Sequence, residues 1–359
     1  MKNTKMAIVV GMALVIFLAG CNAANQGKIK VGAILPLTGS SSIWGENEQK
    51  GISLALEDLK AQGIENVEVI TEDSQSKDAP AVTAAQKLIS LDDVDLIYTS
   101  LTGPSIAVAP VANSSGKLHL YKAATQVPIN NFPENSLKTG YYNYEIDCSV
   151  FGELLAKNNY KKIAYVAAKK DFSTECKRGI ANSAPSVAID EYSYEVSNED
   201  FMSILTKIRE SEYDAIVITG YNADFLKFYS KMSQLKINTT VLCAGSEDCL
   251  SENPDLMPLG MVYFGAYIDN NFKEKLLAKY ANMSILEQSI AATSYDMVRF
   301  VSEAYSVCPS RQRECLKKAI QDSKLDTAID SEGFQGGSFL KLKVRLFEVN
   351  ETKGVIELK

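Results

Sequence analysis

Few residues in this chain could carry catalysis. The one histidine, His119, sits in an apolar run, KLHLY, so a Ser-His-Asp or Cys-His arrangement has no good base. Neither a GxSxG elbow nor a GxxxxGK[ST] phosphate loop occurs. Glu247 and Asp248 are adjacent carboxylates, but neighbours in one turn rarely converge on a single substrate. The chain therefore reads as a non-enzyme without a cofactor. Binding chemistry is better supplied. From Ile29 the sequence reads IKVGAILPLTGSSSIWGENEQKGISLALEDLKAQG: an apolar run, a loop with Gly39, three serines (40 to 42) and the only tryptophan, Trp44, then an amphipathic segment. Ile52, Ala55, Leu56 and Leu59 fall at helical spacing, so the loop sits at a strand-to-helix junction. In open α/β sheets, ligands bind at such junctions at the carboxyl ends of strands.

The seven cysteines divide into one and six. Six lie in the body of the chain, and an even number in an exported protein suggests disulfides. Loop lengths favour Cys243 with Cys249 and Cys308 with Cys315, leaving Cys148 with Cys176. The second pair requires a break in any helix running through it. A metal site is disfavoured, because CxxC spacing is absent.

The seventh, Cys21, ends an export signal. Lys2 and Lys5 precede an apolar stretch from Met6 to Leu18, too short to span a bilayer. Leu18-Ala19-Gly20-Cys21 resembles a bacterial lipobox, which implies cleavage after residue 20 and acylation of Cys21; an ordinary signal peptide is the alternative. Lipid chains contribute about 0.8 kcal/mol per buried CH₂, so several would hold the protein at a membrane surface without a spanning helix. Removing Lys2 and Lys5 leaves 35 basic against 44 acidic side chains, which argues against nucleic acid as a partner.

The elements that must position the loop alternate between strand and helix. Strands are expected at 67 to 71, 94 to 98 and 118 to 123, with helices at 79 to 90 and 105 to 115. A second series follows Asp147. It has helices at 150 to 155, 174 to 184, 201 to 208 and 223 to 235, and strands at 162 to 167, VAIDEY, 214 to 220, TTVLCAG and MVYFGAY. Two βα series imply two doubly wound parallel sheets. Helices near 272 to 280, 287 to 307 and 312 to 323 come next. Then Leu340, Leu342, Val344 and Leu346 alternate with Lys341, Lys343 and Arg345 before a turn into VIEL.

The order VGAILPLTG, WGENEQKGISLALEDLKAQG, TEDSQSKDAPAVTAAQKLI, VDLIYTSLTGPSIAVAPVANSSGKLHLYKAAT, DFMSILTKIRESEYDAIVITGY and SYDMVRFVSEAY resembles the branched-chain amino-acid-binding proteins of bacterial ABC importers. The likeness runs over residues 29 to 359. It implies an α/β fold of the type I periplasmic-binding-protein kind: two lobes joined by a three-strand hinge that closes on a ligand. The expected divisions are a signal peptide (1–20), a lipidated tether (21–28), an N-terminal lobe (29–146 plus 270–328) and a C-terminal lobe (147–269 plus 329–359).

The resemblance also implies a site. A ligand's α-carboxylate and α-ammonium would be held by Ser100-Leu101-Thr102-Gly103-Pro104-Ser105, through Thr102, Gly103 and Ser105, and by Ala123-Ala124-Thr125, through Ala123 and Thr125. Tyr221 and Glu247 would reach the amino group from the other lobe, and Trp44 and Phe172 would line the side-chain pocket. Two departures stand out: Pro104 replaces a serine of the usual run, removing a hydroxyl and an N–H, and Phe172-Ser173 stands where Tyr-Gly is common. The function implied is an exported, lipid-anchored, monomeric solute receptor that binds an amino acid or similar small polar molecule for an ABC permease. The alternative is a sensor or regulatory lipoprotein of the same fold, with an amide or small carboxylate ligand.

Overall fold

A computed structural model describes residues 27–123, 133–140, 143–196, 200–251, 253–335, 339–352 and 354–358. The signal segment, Cys21 and Thr125 lie outside the described residues.

The first series is β1 (Ile29–Leu35), α1 (Ser42–Ala61), β2 (Val67–Asp73), α2 (Asp78–Ser90), β3 (Leu96–Thr99), α3 (Thr102–Ser114), β4 (Leu118–Lys122) and β5 (Ser136–Gly140). The second is α4 (Tyr144–Asp147), α5 (Ser149–Lys157), β6 (Lys162–Ala168), α6 (Asp171–Ser183), β7 (Ala188–Tyr194), α7 (Phe201–Arg209), β8 (Ala215–Thr219), α8 (Asn222–Leu235), β9 (Thr240–Cys243), a 3₁₀ turn (Ser246–Cys249) and β10 (Val262–Ala266). Then come α9 (Asn270–Lys279), α10 (Ile285–Val307), α11 (Arg313–Gln321), β11 (Ser331–Gln335), β12 (Phe339–Leu342), β13 (Val344–Val349) and β14 (Val355–Glu357).

They form two seven-stranded sheets, β2-β1-β3-β4-β5-β12-β11 and β7-β6-β8-β9-β10-β13-β14. The first five strands of each run parallel. Parallel strands are buried on both faces, which is why β3 and β8, apart from their closing Thr99 and Thr219, and most of β6 are apolar and buried. Helix α1 turns Ile52, Ala55 and Leu59 inward as its spacing predicts. Helix α10 opens on a capping box in which Ser284 and Glu287 satisfy each other's backbone N–H groups at 3.2 and 2.7 Å. It is buried over most of its length and packs against α1, where a side chain at Gly51 would strike the Ala291 carbonyl.

The alternating tail departs from expectation. Leu340 and Leu342 belong to β12, which pairs parallel with β5 in the first sheet, whereas Val344 begins β13, antiparallel to β10 in the second. The C-terminal lobe therefore does not take residues 329 to 342, and the last switch between sheets falls at Lys343. The physical reason is local: Phe334 packs edge-on against Phe300 of α10, and Asp296 accepts from the Ala328 and Ile329 N–H groups at 2.8 and 3.2 Å, tying that stretch to the first lobe. The other two switches follow β5 and β10. Arg345 on β13 reaches back to Asp330 at 2.8 Å.

All three expected disulfides are present: Cys148–Cys176, Cys243–Cys249 and Cys308–Cys315. The last is possible because α10 ends at Val307 and α11 starts only at Arg313. Among the described residues no helix is long and apolar enough to cross a membrane, and no cluster could hold a metal.

Candidate functional site

The candidate residues gather at the carboxyl ends of the parallel strands, in two groups. In the first lobe, the loop after β1 is pinned from below. Asp73 accepts from the Leu37 and Thr38 N–H groups at 3.0 and 3.2 Å and from the Thr38 hydroxyl at 2.6 Å. These bonds outweigh partial burial and hold its carboxyl below the usual range. Trp44, in the first turn of α1, is half-buried. One turn on, Glu48 is fully buried; its Oε1 lies 3.2 Å from the Lys122 ammonium and accepts from the Ser100 hydroxyl at 2.9 Å. Lys122 also donates to Thr293 at 2.8 Å and lies 5.0 Å from the centroid of the Trp44 ring. Burial lowers the lysine pKa, and the charge of Glu48 opposes that shift.

The run Ser100 to Ser105 is both a loop and a helix start. α3 begins at Thr102, with Pro104 inside its first turn, where a missing N–H costs least. Leu101 is held at φ 68°, ψ 149°, a region that glycine alone visits freely. At Gly103 a side-chain carbon would lie 2.5 Å from Asp78 Oδ1, so a larger residue there would have to displace the Asp78 carboxylate. Ser105 points inward. The Thr99 hydroxyl donates to it at 2.8 Å and lies 2.8 Å from His119 Nε2, while His119 Nδ1 is 3.2 Å from Ser136. Burial lowers the His119 pKa to about 3, so the ring is neutral and structural. Ala123, at the end of β4, is buried.

In the second lobe, the structure brings Phe172, Tyr221 and Glu247 together around Tyr144, a residue that sequence reasoning passed over. The Phe172 ring lies 5.2 Å from Tyr144 and 5.5 Å from Tyr221, edge-on to the latter. Tyr221 is 44% exposed, hence not an edge-of-sheet core residue, and Glu247 is 4% exposed, hence not a free loop acid. Gly265 makes room for Glu247, whose Oε1 would stand 3.1 Å from a side-chain carbon there. Burial and the negative charge of Glu247 together raise the Asp248 pKa from 3.8 to about 7. The same acids, with Tyr221, add to the burial that raises Tyr144. Phe172 and Tyr144 are both enclosed, at 6% and 5% exposure, and Ser173 beside Phe172 accepts from the Thr219 hydroxyl at 2.7 Å.

A profile of the periplasmic binding protein family matches residues 28–353. The chain belongs to that family. Its members bind solutes rather than transform them, so this protein is a solute-binding protein and not an enzyme. Among curated relatives, a Leu/Ile/Val-binding protein homologue from Brucella melitensis is 25% identical over 62% of this chain; the match spans 61% of that protein's length. Two solved structures share the fold. The branched-chain amino acid transporter substrate-binding protein LivJ of Streptococcus pneumoniae, in complex with isoleucine, has a TM-score of 0.73 at 19% identity, over 92% of this chain and 100% of that one. A solute-binding protein of an ABC transporter from Rhodopseudomonas palustris, in complex with 3,4-dihydroxybenzoic acid, has a TM-score of 0.77 at 20% identity, over 92% and 96%.

Three residues of the two groups escaped the sequence reading: Glu48, Lys122 and Tyr144. Glu48 lies in GENEQK, which looks like a solvated helix start. Lys122 ends an apolar strand, and a lone cation in such a run is a signal that could have been used.

Proposed function

We propose that this protein is the extracytoplasmic, lipid-anchored receptor of an ABC importer, binding an amino acid or similar small polar ligand between its lobes. The observation that carries the reading is the acid pair Glu247–Asp248, enclosed beside Tyr144, Phe172 and Tyr221 where a ligand ammonium would find charge. A charge-assisted hydrogen bond contributes about 1.5 to 3 kcal/mol, a useful part of the roughly 8 kcal/mol of a micromolar site. Backbone N–H groups and a hydroxyl of the Thr102–Gly103 run would take the carboxylate end, while a carbonyl at Ala123 and the Thr125 hydroxyl would accept from the ammonium. The Ser105 hydroxyl, engaged with Thr99, would contribute packing rather than a contact. A ligand touching both lobes gains more contacts when they are closed, so it shifts the population toward closure about the three connections. The lobes would then be 29–140 with 270–342, and 144–266 with 344–358, the whole acting as a monomer.

A second ligand class is favoured by one feature. The rings of Phe172, Tyr144 and Tyr221 form an aromatic wall suited to an aromatic acid, the type of ligand carried by the Rhodopseudomonas neighbour. An envelope sensor with such a ligand is the alternative to an importer.

A thermal-shift screen over branched-chain and other amino acids, their amides and hydroxybenzoates tests both. A ligand at 100 times its dissociation constant adds about 2.7 kcal/mol of stability. A screen silent in every class would overturn the receptor reading. Labelling with a radioactive fatty acid, present in the wild type and lost in Cys21→Ala, tests the anchor.

A further inference from the structure

The ion pair behind Trp44 has no role in the reading above, and its placement gives it one. Trp44 and Glu48 are one helical turn apart and share a face of α1. Lys122, the last residue of β4, directly precedes the Ala123 turn. Its ammonium lies 3.2 Å from Glu48, donates to the Thr293 hydroxyl of α10 at 2.8 Å, and sits 5.0 Å from the centroid of the Trp44 ring. The same Glu48 oxygen accepts from Ser100 at 2.9 Å and lies 3.3 Å from the Tyr98 hydroxyl. Its other oxygen, Oε2, is buried with no hydrogen-bond partner among the described residues. One carboxylate thus links the loop after β3 to the lysine before Ala123, and that lysine supports the indole.

Stability does not account for such a pair. A buried ion pair is often no better than apolar side chains of similar volume, because desolvation offsets the attraction. What the pair supplies is placement, since both charges are fixed by short contacts and neither is reached by water.

We propose that Glu48 and Lys122 are positioning residues that set the orientation of Trp44 and of the Ser100 loop, and through them decide which ligand side chains the pocket accepts. The selectivity part rests on the reading of Trp44 as a pocket wall; the orientation part does not. An ammonium against one face of the indole also disfavours a second cation on the other face, so the pocket should prefer uncharged side chains to basic ones.

The single tryptophan makes the test direct, because all indole fluorescence comes from Trp44. In ligand-free protein, Lys122→Met should shift the emission maximum and raise quenching by acrylamide, while Lys122→Arg should stay close to wild type. If Lys122→Met fails to fold, the paired variant Glu48→Gln/Lys122→Met, which leaves no unpaired charge, should show the same spectral change. A folded Lys122→Met or paired variant with wild-type emission and quenching would overturn the proposal, whatever the ligand. The second arm uses leucine, lysine and each hit of the thermal screen as probes. The folded variant should bind the best neutral probe at least about tenfold more weakly and narrow the preference for it over lysine. Unchanged affinities would overturn the selectivity role. If no probe binds wild type, the receptor reading fails while the fluorescence arm still decides the positioning role.

Discussion

The two lobes repeat one strand order, yet they secure their carboxyl edges by different means. In the first lobe the edge is held by charge: Asp73 pins the loop after β1, and Glu48–Lys122 joins Trp44 to Ser100. Its one disulfide, Cys308–Cys315, lies at the α10–α11 joint near Arg311 and Asp95, below the amino end of β3. In the second lobe the edge is clamped covalently. Cys148–Cys176 ties the α4–α5 junction to α6 four residues after Phe172, and Cys243–Cys249 closes the turn that carries Glu247. Electrostatic anchoring tolerates small adjustments of a loop. A disulfide around a six-residue separation does not. Under the proposed function, the contrast sets a fixed wall for the ligand's amine against a more adjustable wall for its side chain.

The largest effect should come from breaking the electrostatic anchor. Lys122→Met leaves Glu48 charged and buried without its partner, a change that costs about 3 to 5 kcal/mol. The paired variant Glu48→Gln/Lys122→Met should cost far less, and urea denaturation of both variants measures the difference. Equal losses would mean that packing, not charge, holds this edge.

Breaking the covalent clamps should come close behind. By loop entropy, replacing Cys148 and Cys176 with serine should cost about 3 to 4 kcal/mol, and replacing Cys243 and Cys249 about 2 kcal/mol. The second change should nevertheless weaken ligand binding more, because it frees the Glu247 turn directly. Parallel denaturation and calorimetry on the two double variants separate the effects, and a matching rank in both would remove the distinction between the clamps.

Much of this contrast was legible in the sequence. The cysteine spacings pointed to the pairs, and the helical and alternating periods placed nearly every element. Three features were not legible, each for a physical reason. Strand β5, SLKTG, has no apolar period because it is covered on both sides and Lys138 is buried within it, its pKa lowered to about 8 by desolvation. The alternation from 340 to 346 continues unbroken across Lys343, although the chain changes sheets there, because both halves present the same two-residue period to different partners. Glu48 looks solvated in GENEQK, yet it is buried against Tyr98, Ser100 and Lys122, partners far away in the sequence. The resemblance, not residue type, pointed to Glu247, Tyr221 and Phe172, but Tyr144, which lies among them, comes from the stretch just after the first switch between sheets.

The acid pair of the second wall can be read by pH. Glu247→Ala should weaken any amine-bearing ligand by at least about 2 kcal/mol in calorimetry, and unchanged affinity would end the amino-acid assignment. Asp248 gives an effect on stability of defined sign. Its pKa is raised from 3.8 in the unfolded chain to about 7, so the folded state holds a proton that the unfolded state has lost. This contribution to stability is complete below about pH 4 and disappears as pH rises through 7. Asp248→Asn should flatten that part of the profile, leaving stability near pH 4 unchanged and raising it above pH 7. A bound ammonium would favour the charged form, so near pH 6.5 binding should release protons and the measured heat should vary with the buffer's ionisation enthalpy.

The smallest expected effect compares the backbones of the two walls. Each has a non-glycine residue at positive φ next to a candidate binding residue: Leu101 at 68° before Thr102 and Ser246 at 47° before Glu247. Ser246 carries a short polar side chain of the kind that tolerates positive φ at modest cost. Leu101, at ψ 149°, lies where a side chain is penalised by about 1 to 3 kcal/mol. Leu101→Gly should therefore stabilise the protein by about 1 kcal/mol after the entropy that glycine adds to the unfolded chain, whereas Ser246→Gly should change little. If Leu101→Gly also weakens the ligand, the leucine side chain itself serves the site. If affinity holds, the strain belongs only to aiming the Thr102 and Gly103 backbone, and the first wall is the one still open to improvement.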